Sequence, residues 1–146
     1  MPETADELCA VARSLGADPD EIRIGNSATE TEIKRLSTAG NLARYRILHF
    51  ATHGVLAGQL RGTREPGLIL TPPAIATVED DGYLSGSEIA TLNLDAEWVI
   101  LSACNTAGGA GQGEAAEALS GLVRVFFMLA RGRSSFRTGG STAPPR

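Results

Sequence analysis

Two dense apolar segments constrain the fold of this chain more than any other feature. One is RYRILHFAT at residues 44–52, and the other is WVILSA at residues 98–103. Their apolar residues do not alternate cleanly with polar ones, which is typical of strands buried on both faces, as in a parallel sheet. We therefore expect two buried strands that run in parallel.

Helical patterns precede and separate these strands. Residues 3–15 place apolar side chains at helical spacing, and Gly16 can end this helix. A short apolar stretch at residues 22–24 then predicts a strand. Ser27 is predicted to cap a second helix, because a glutamate follows it three residues later as in a capping box, and this helix ends near Gly40.

The middle of the chain predicts β-structure and one short helix. Residues 54–67 are Gly-rich and predict a loop, which is followed by a short strand at residues 68–70. Asp81-Gly82 is a tight-turn signal between two β-like pieces and indicates a hairpin. Ser85 or Ser87 can cap a short helical turn before the second apolar segment.

The last part of the chain predicts one more helix and then a tail. Residues 114–130 carry apolar side chains at intervals of three and four, as an amphipathic helix does. Alternating strands and helices predict the α/β class, as a three-layer sandwich around a mostly parallel sheet. Residues 131–146 are rich in Arg, Gly, Ser and Pro, so we expect a disordered tail after one domain at residues 1–130.

A histidine and a cysteine directly follow the two apolar segments. His53 comes after the first, Cys104 comes after the second, and 51 residues separate them, comparable to the spacing in caspases. Functional groups gather at the carboxyl edge of parallel strands. An imidazole within hydrogen-bond reach takes the proton of a thiol and later protonates a leaving amine. The pair therefore predicts the dyad of a cysteine peptidase.

The neighbours of this pair suit the same chemistry. Gly54 leaves space around the imidazole and a backbone N–H open to a developing oxyanion. Cys104 precedes a Gly-rich loop and a predicted helix N-terminus, whose partial positive charge favours a thiolate if the helix axis points at it. Cys9 in a helix and His49 in a strand have the pattern of structural residues instead.

The motifs around the pair resemble those of a known family. HFATHG at residues 49–54 and LSACNTA at residues 101–107 are joined by YLSGSEIATLNL at residues 83–94. Together they resemble the CHAT domain, a caspase-like domain related to separases, and the resemblance covers about residues 8–130. It implies a caspase-haemoglobinase fold and peptide-bond cleavage.

The resemblance also assigns roles to individual residues. It implies that His53 is the general base, that Cys104 is the nucleophile, and that Gly54 and Cys104 supply the oxyanion N–H groups. A protein substrate and a regulatory partner, such as a tetratricopeptide-repeat protein in bacterial signalling or defence, are implied as well. No repeat of tetratricopeptide period is present in the chain itself.

The sequence departs from the family pattern near its C-terminus. The family normally continues into another buried strand, and residues 131–146 lack the aliphatic residues for one. We therefore expect a C-terminally incomplete CHAT-like domain. A catalytically inactive fragment that acts as an interaction module is the alternative to an active peptidase.

Several other classes of function fit less well. The formal charge is −4, so nothing points to nucleic acid or to an anionic membrane surface, and no apolar run approaches a membrane span. Two cysteines suit a reducing cytosol, which predicts a cytoplasmic protein. The glycines at residues 108–113 lie where phosphate-binding loops occur, yet they match neither G-x-G-x-x-G nor a P-loop.

A metal site is also disfavoured by geometry. His49 and His53 would lie roughly 13 Å apart on one strand, too far to bind one ion together with Cys104. A thiolate–imidazole pair needs no added group, so we expect neither metal nor cofactor.

Overall fold

The structure, a computed structural model, describes residues 2–102. Cys104, the predicted helix at residues 114–130 and the predicted tail lie outside the described residues. Within them the elements are α1 (Pro2–Ser14), α2 (Glu30–Thr38), β1 (Ile47–Phe50), β2 (His53–Val55), β3 (Gly67–Ile69), β4 (Tyr83–Ser85), α3 (Gly86–Thr91) and β5 (Trp98–Leu101). The strands form two sheets, a pair of β1 with β5 and a second sheet in the order β2-β3-β4. The mixed α/β class predicted from sequence is confirmed.

The two apolar segments form a parallel pair, as predicted. Ile47 is paired with Trp98, and the register continues without a break to the last residues of both strands. Beyond the strand ends, the Ser102 N–H donates to the Phe50 carbonyl at 2.9 Å. The two segments therefore lie side by side with a constant offset of 51 residues.

The two faces of this parallel pair differ in burial. One face packs against the hydrophobic core through Leu48, Phe50, Val99 and Leu101. On the opposite face, Trp98 is 68% exposed and Ile100 is 38% exposed. Within residues 2–102, the expectation of burial on both faces therefore holds for one face only.

The second sheet is antiparallel and corrects the prediction of a loop over residues 54–67. Its edge strand β2 begins at His53 and pairs with β3, which in turn pairs with β4. The predicted hairpin exists as the β3–β4 pair. Asp81-Gly82 is not at its tip but at the end of a longer connection, where the Leu70 N–H donates to the Gly82 carbonyl at 2.8 Å.

The core lies between this antiparallel sheet, α2, α3 and the segment that leads into β5. Its central side chains, Leu68, Leu84 and Ile89, are fully buried. Burying one such side chain stabilises the fold by about 1.5–3 kcal/mol. The cluster comprises Leu36, Leu42, Leu68, Leu70, Leu84, Ile89, Leu92 and Leu94.

The helices agree with the sequence patterns at most of their ends. Gly16 follows α1 with φ +73° and Gly40 follows α2 with φ +74°, the left-handed backbone that favours glycine after a helix. Ser85 caps α3 in a full capping box with Glu88, so of the two serines predicted as caps Ser85 is the one used.

Two predictions about the first third of the chain are wrong. Residues 22–24 form no strand, because short 3-10 turns at Pro19–Glu21 and Gly25–Ser27 flank them on both sides. Ser27 does not cap α2, because its hydroxyl is bonded within its own turn to the Ile24 backbone. Thr29 caps the helix instead, and its side chain accepts the Glu32 N–H at 3.2 Å.

A buried carboxylate ties α2 to the connection between β3 and β4. The Glu30 carboxylate accepts the N–H groups of Asp81 and Gly82, both at 3.1 Å. Lys34 donates to Glu30 and also to Glu88 on α3, the latter at 2.8 Å. This network fixes the start of β4 against two helices.

The length and composition of the described helices show whether any of them could cross a membrane. Among residues 2–102, no helix combines the length and the apolar character that crossing a bilayer requires.

Candidate active site

The parallel pair directs two chain segments to one edge of the sheet. Phe50 and Leu101 are the last paired residues. His53 follows Phe50 by three residues, and Cys104 follows Leu101 by three. Neighbouring strands are about 4.8 Å apart, so both segments leave the sheet close together. Cys104 lies outside the described residues, and the described part of its segment ends at Ser102.

His53 is the first residue of β2, where the chain passes from the parallel pair to the antiparallel sheet. It is paired with Ile69 of β3, and the hydroxyl of Thr52 donates to the Ile69 carbonyl and holds the bend. The His53 side chain is exposed and lines the same open groove as Ser102. A general base needs this access to solvent and substrate.

Gly54 is buried, and its backbone direction follows from the ladder of β3. The Leu70 N–H donates to the Gly82 carbonyl, so the backbone N–H and C=O groups of the even-numbered residues along β3 point toward β4. In an antiparallel ladder the backbone groups of the odd-numbered Ile69 then point toward β2, where they exchange hydrogen bonds with those of His53. The N–H of Gly54, one residue further on, is therefore directed away from β3. This N–H is therefore not used in the pairing of β2 with β3.

His49, set aside in the sequence as structural, contacts the segment that leads to Cys104. Its Nε2 lies 2.8 Å from the Ser102 hydroxyl oxygen. Its Nδ1 is buried and has no hydrogen-bond partner within the described part of the chain. Burial lowers the pKa of His49, although the carboxylate of Glu7 on α1 acts in the opposite direction. The imidazole is therefore neutral at neutral pH.

Stability is expected to decrease in mild acid because of His49. Its pKa in the folded state is below the unfolded value of about 6.5, so the unfolded chain binds the proton first. The contribution is complete above pH 6.5 and is lost as the pH falls through that value toward the folded pKa. Urea denaturation at pH 7.5 and pH 5.5 measures it.

The matched control for this prediction is His49→Gln, which removes the titrating group and keeps a polar side chain. The free energy of unfolding of the variant should fall less on acidification than that of the wild type. Equal losses in both proteins would show that His49 does not contribute to acid sensitivity.

Comparison of the sequence with protein families identifies the family of this chain. The family model described as the CHAT domain matches residues 1–130, most of the chain. The chain belongs to the CHAT-domain family. CHAT domains are caspase-like and peptidase-related, and the mixed α/β architecture around a parallel strand pair fits a caspase-like fold. Searches of the curated proteins and of the solved structures found no match.

The structure of this CHAT domain places two of the three predicted site residues. His53 and Gly54 lie together at the start of β2, beside the carboxyl edge of the parallel pair. The contact between His49 and Ser102 was missed in the sequence. The sequence did mark these two residues by their position, because Ser102 lies two residues before Cys104 and His49 lies four residues before His53.

Proposed function

We propose that this CHAT domain is a cysteine endopeptidase that cleaves protein substrates with a dyad of His53 and Cys104. The register of β1 and β5 carries the proposal. Its offset is 51 residues, the same as the separation of His53 and Cys104 in the sequence. Both residues therefore come three positions after the last paired residues, Phe50 and Leu101, at the same edge of the parallel pair.

The proposed reaction follows from the chemistry of the pair. His53 accepts the proton of the Cys104 thiol, whose reference pKa is about 8.5, and the thiolate attacks the carbonyl carbon of a peptide bond. The negative charge on the carbonyl oxygen is stabilised by the N–H groups of Gly54 and Cys104. Protonated His53 then donates its proton to the leaving amine, and water hydrolyses the thioester.

The setting of this reaction is proposed from the family. We place the pair in a three-layer sandwich of the caspase-haemoglobinase type. A regulatory partner, such as a tetratricopeptide-repeat protein, controls access to the groove. A cytoplasmic location suits a catalytic thiol because the cytosol keeps thiols reduced.

The labelling of Cys104 by a thiol-reactive peptide probe tests the proposal. The experiment uses a Cys9→Ser background, because Cys9 on α1 is a free cysteine and is only partly buried. Labelling should be fast at pH 7, absent in Cys104→Ala, and slower by about 100-fold or more in His53→Ala, because the general base is lost.

One result with His53→Ala would contradict the proposed dyad. If His53→Ala is labelled as fast as the parent while its circular dichroism is unchanged, the imidazole does not activate the thiol. The chain would then be the inactive interaction module.

A further inference from the structure

Two side chains outside the proposed dyad are hydrogen-bonded across the carboxyl ends of β1 and β5. His49 Nε2 lies 2.8 Å from Ser102 Oγ. We propose that His49 and Ser102 are a positioning pair that sets the separation of His53 and Cys104. This inference rests on the proposed peptidase function and assigns it two further residues.

The strand register brings the two side chains together. His49 is paired with Ile100, and successive side chains of a strand point to opposite faces, so Ser102 is the next residue of its segment on the same face as His49. The backbone adds a second bond at the same level, from the Ser102 N–H to the Phe50 carbonyl at 2.9 Å. Both bonds lie where the described strands end.

The location of this contact suits a positioning role. The chain bends at Thr52 immediately after β1 and enters β2 at His53. The other segment reaches Cys104 two residues after Ser102. A bond between His49 and Ser102 therefore fixes both segments just before the proposed catalytic residues, and only a few backbone torsions separate it from either one.

The composition of the face makes a purely structural role a poor explanation. The other strand positions on this face are apolar, namely Ile47, Trp98 and Ile100. His49 interrupts them and leaves its buried Nδ1 without a partner among the described residues, which destabilises the fold. An aliphatic residue would avoid this cost. Departures from locally optimal packing are typical of functional positions.

The direction of the hydrogen bond between His49 and Ser102 depends on the tautomer of the imidazole. Burial holds the pKa of His49 below its usual range, so the ring is neutral and carries one N–H. With that proton on Nε2 the ring donates to Ser102 Oγ, and with it on Nδ1 the Ser102 hydroxyl donates to Nε2. Among the described residues, the carboxylate of Glu7 on α1 acts on the imidazole by its charge.

The pH dependence of Cys104 alkylation by iodoacetamide, in the Cys9→Ser background, tests the proposal. In the parent, the rate should report a thiol pKa lowered by His53. Ser102→Ala removes the hydroxyl that bonds to His49 and should slow alkylation at pH 7 by roughly 10-fold to 100-fold, because a displacement of about 1 Å misaligns the pair. The apparent thiol pKa should rise at the same time.

Conservative and matched variants separate positioning from folding. Ser102→Thr keeps the hydroxyl and should restore most of the rate, while His49→Phe should behave like Ser102→Ala. Ser87→Ala is the matched control, because its hydroxyl bonds to Glu65 at 3.1 Å near α3, away from the proposed dyad. It should leave the rate and the thiol pKa unchanged.

The outcomes distinguish this inference from the proposed function. If His53→Ala does not slow alkylation, the dyad itself is wrong. If His53→Ala slows alkylation but Ser102→Ala does not, or if Ser102→Thr is as slow as Ser102→Ala, the positioning role is overturned and the dyad stands.

Discussion

Replacing Glu30 with alanine is expected to lower the free energy of unfolding by roughly 2–5 kcal/mol. The side chain is 1% exposed, and its carboxylate accepts the N–H groups of Asp81 and Gly82. Alanine leaves both N–H groups without their acceptor and removes one of the two carboxylates that Lys34 contacts. Urea denaturation monitored by circular dichroism measures the loss.

Two further variants show where the effect of Glu30→Ala comes from. Glu30→Gln keeps an oxygen acceptor for the backbone but removes the charge, so its loss should be intermediate. In Glu79→Ala the nearby Lys34 contact is retained, since Lys34 bonds to the Glu79 carbonyl rather than to its side chain. This exposed control should change stability by less than about 0.5 kcal/mol. Equal effects of Glu30→Ala and Glu79→Ala would contradict the buried network.

Gly67→Ala is the second substitution with a large expected effect, a loss of about 2–3 kcal/mol by overpacking. A Cβ at this position would lie 2.5 Å from the Tyr83 ring and 2.7 Å from the Leu84 carbonyl oxygen. The ring crosses Gly67 to donate its hydroxyl to the Glu65 carbonyl at 2.5 Å. The added methyl group would displace the ring and break this bond. Thermal denaturation measures the loss.

The control for Gly67→Ala is Gly58→Ala. Gly58 has φ +79°, yet an added Cβ would meet no atom within 4 Å, so the change costs only the backbone strain of about 1–2 kcal/mol. Combining Gly67→Ala with Tyr83→Ala should recover part of the loss, because the clashing ring is then absent. A Gly67→Ala variant as stable as the wild type would contradict the close packing of the ring.

The elements predicted correctly from the sequence have strong local signals. The apolar density of the two long segments was sufficient to identify the parallel pair β1 and β5, and the glycines after α1 and α2 marked their ends. Strand β2 was missed because it has only three residues and contains Gly54. Its strand conformation comes from pairing with β3, which no local pattern records.

The errors in the first third of the chain arose because local patterns predicted a strand and a cap that long-range contacts do not support. Residues 22–24 have the apolar composition of a strand but pair with no strand in the described part of the chain. Ser27 and Thr29 are both reasonable caps by composition. The choice is made by the turn at Gly25–Ser27, which uses the serine hydroxyl, and by a bridge between Thr29 and Thr71. Such long-range contacts are not visible in a local pattern.

Only the part of the candidate site that local patterns mark could be predicted from the sequence. His53 and Gly54 could be located because they follow an apolar strand directly. The contact between His49 and Ser102 depends on the register of two strands that are far apart in the sequence. Without that register, His49 is one imidazole inside an apolar run, and nothing marks it as different from a core residue.

The register of β1 and β5 also bears on how distant relatives are recognised. The hydrogen bonds between these strands determine where the two segments meet, so the length of chain between them is free to vary. Insertions in the loops at residues 56–66 or 70–82 would change the spacing between His53 and Cys104 in the sequence without moving the strand edge. A search for homologues should therefore weigh the position of each residue after its strand above the number of residues that separate them.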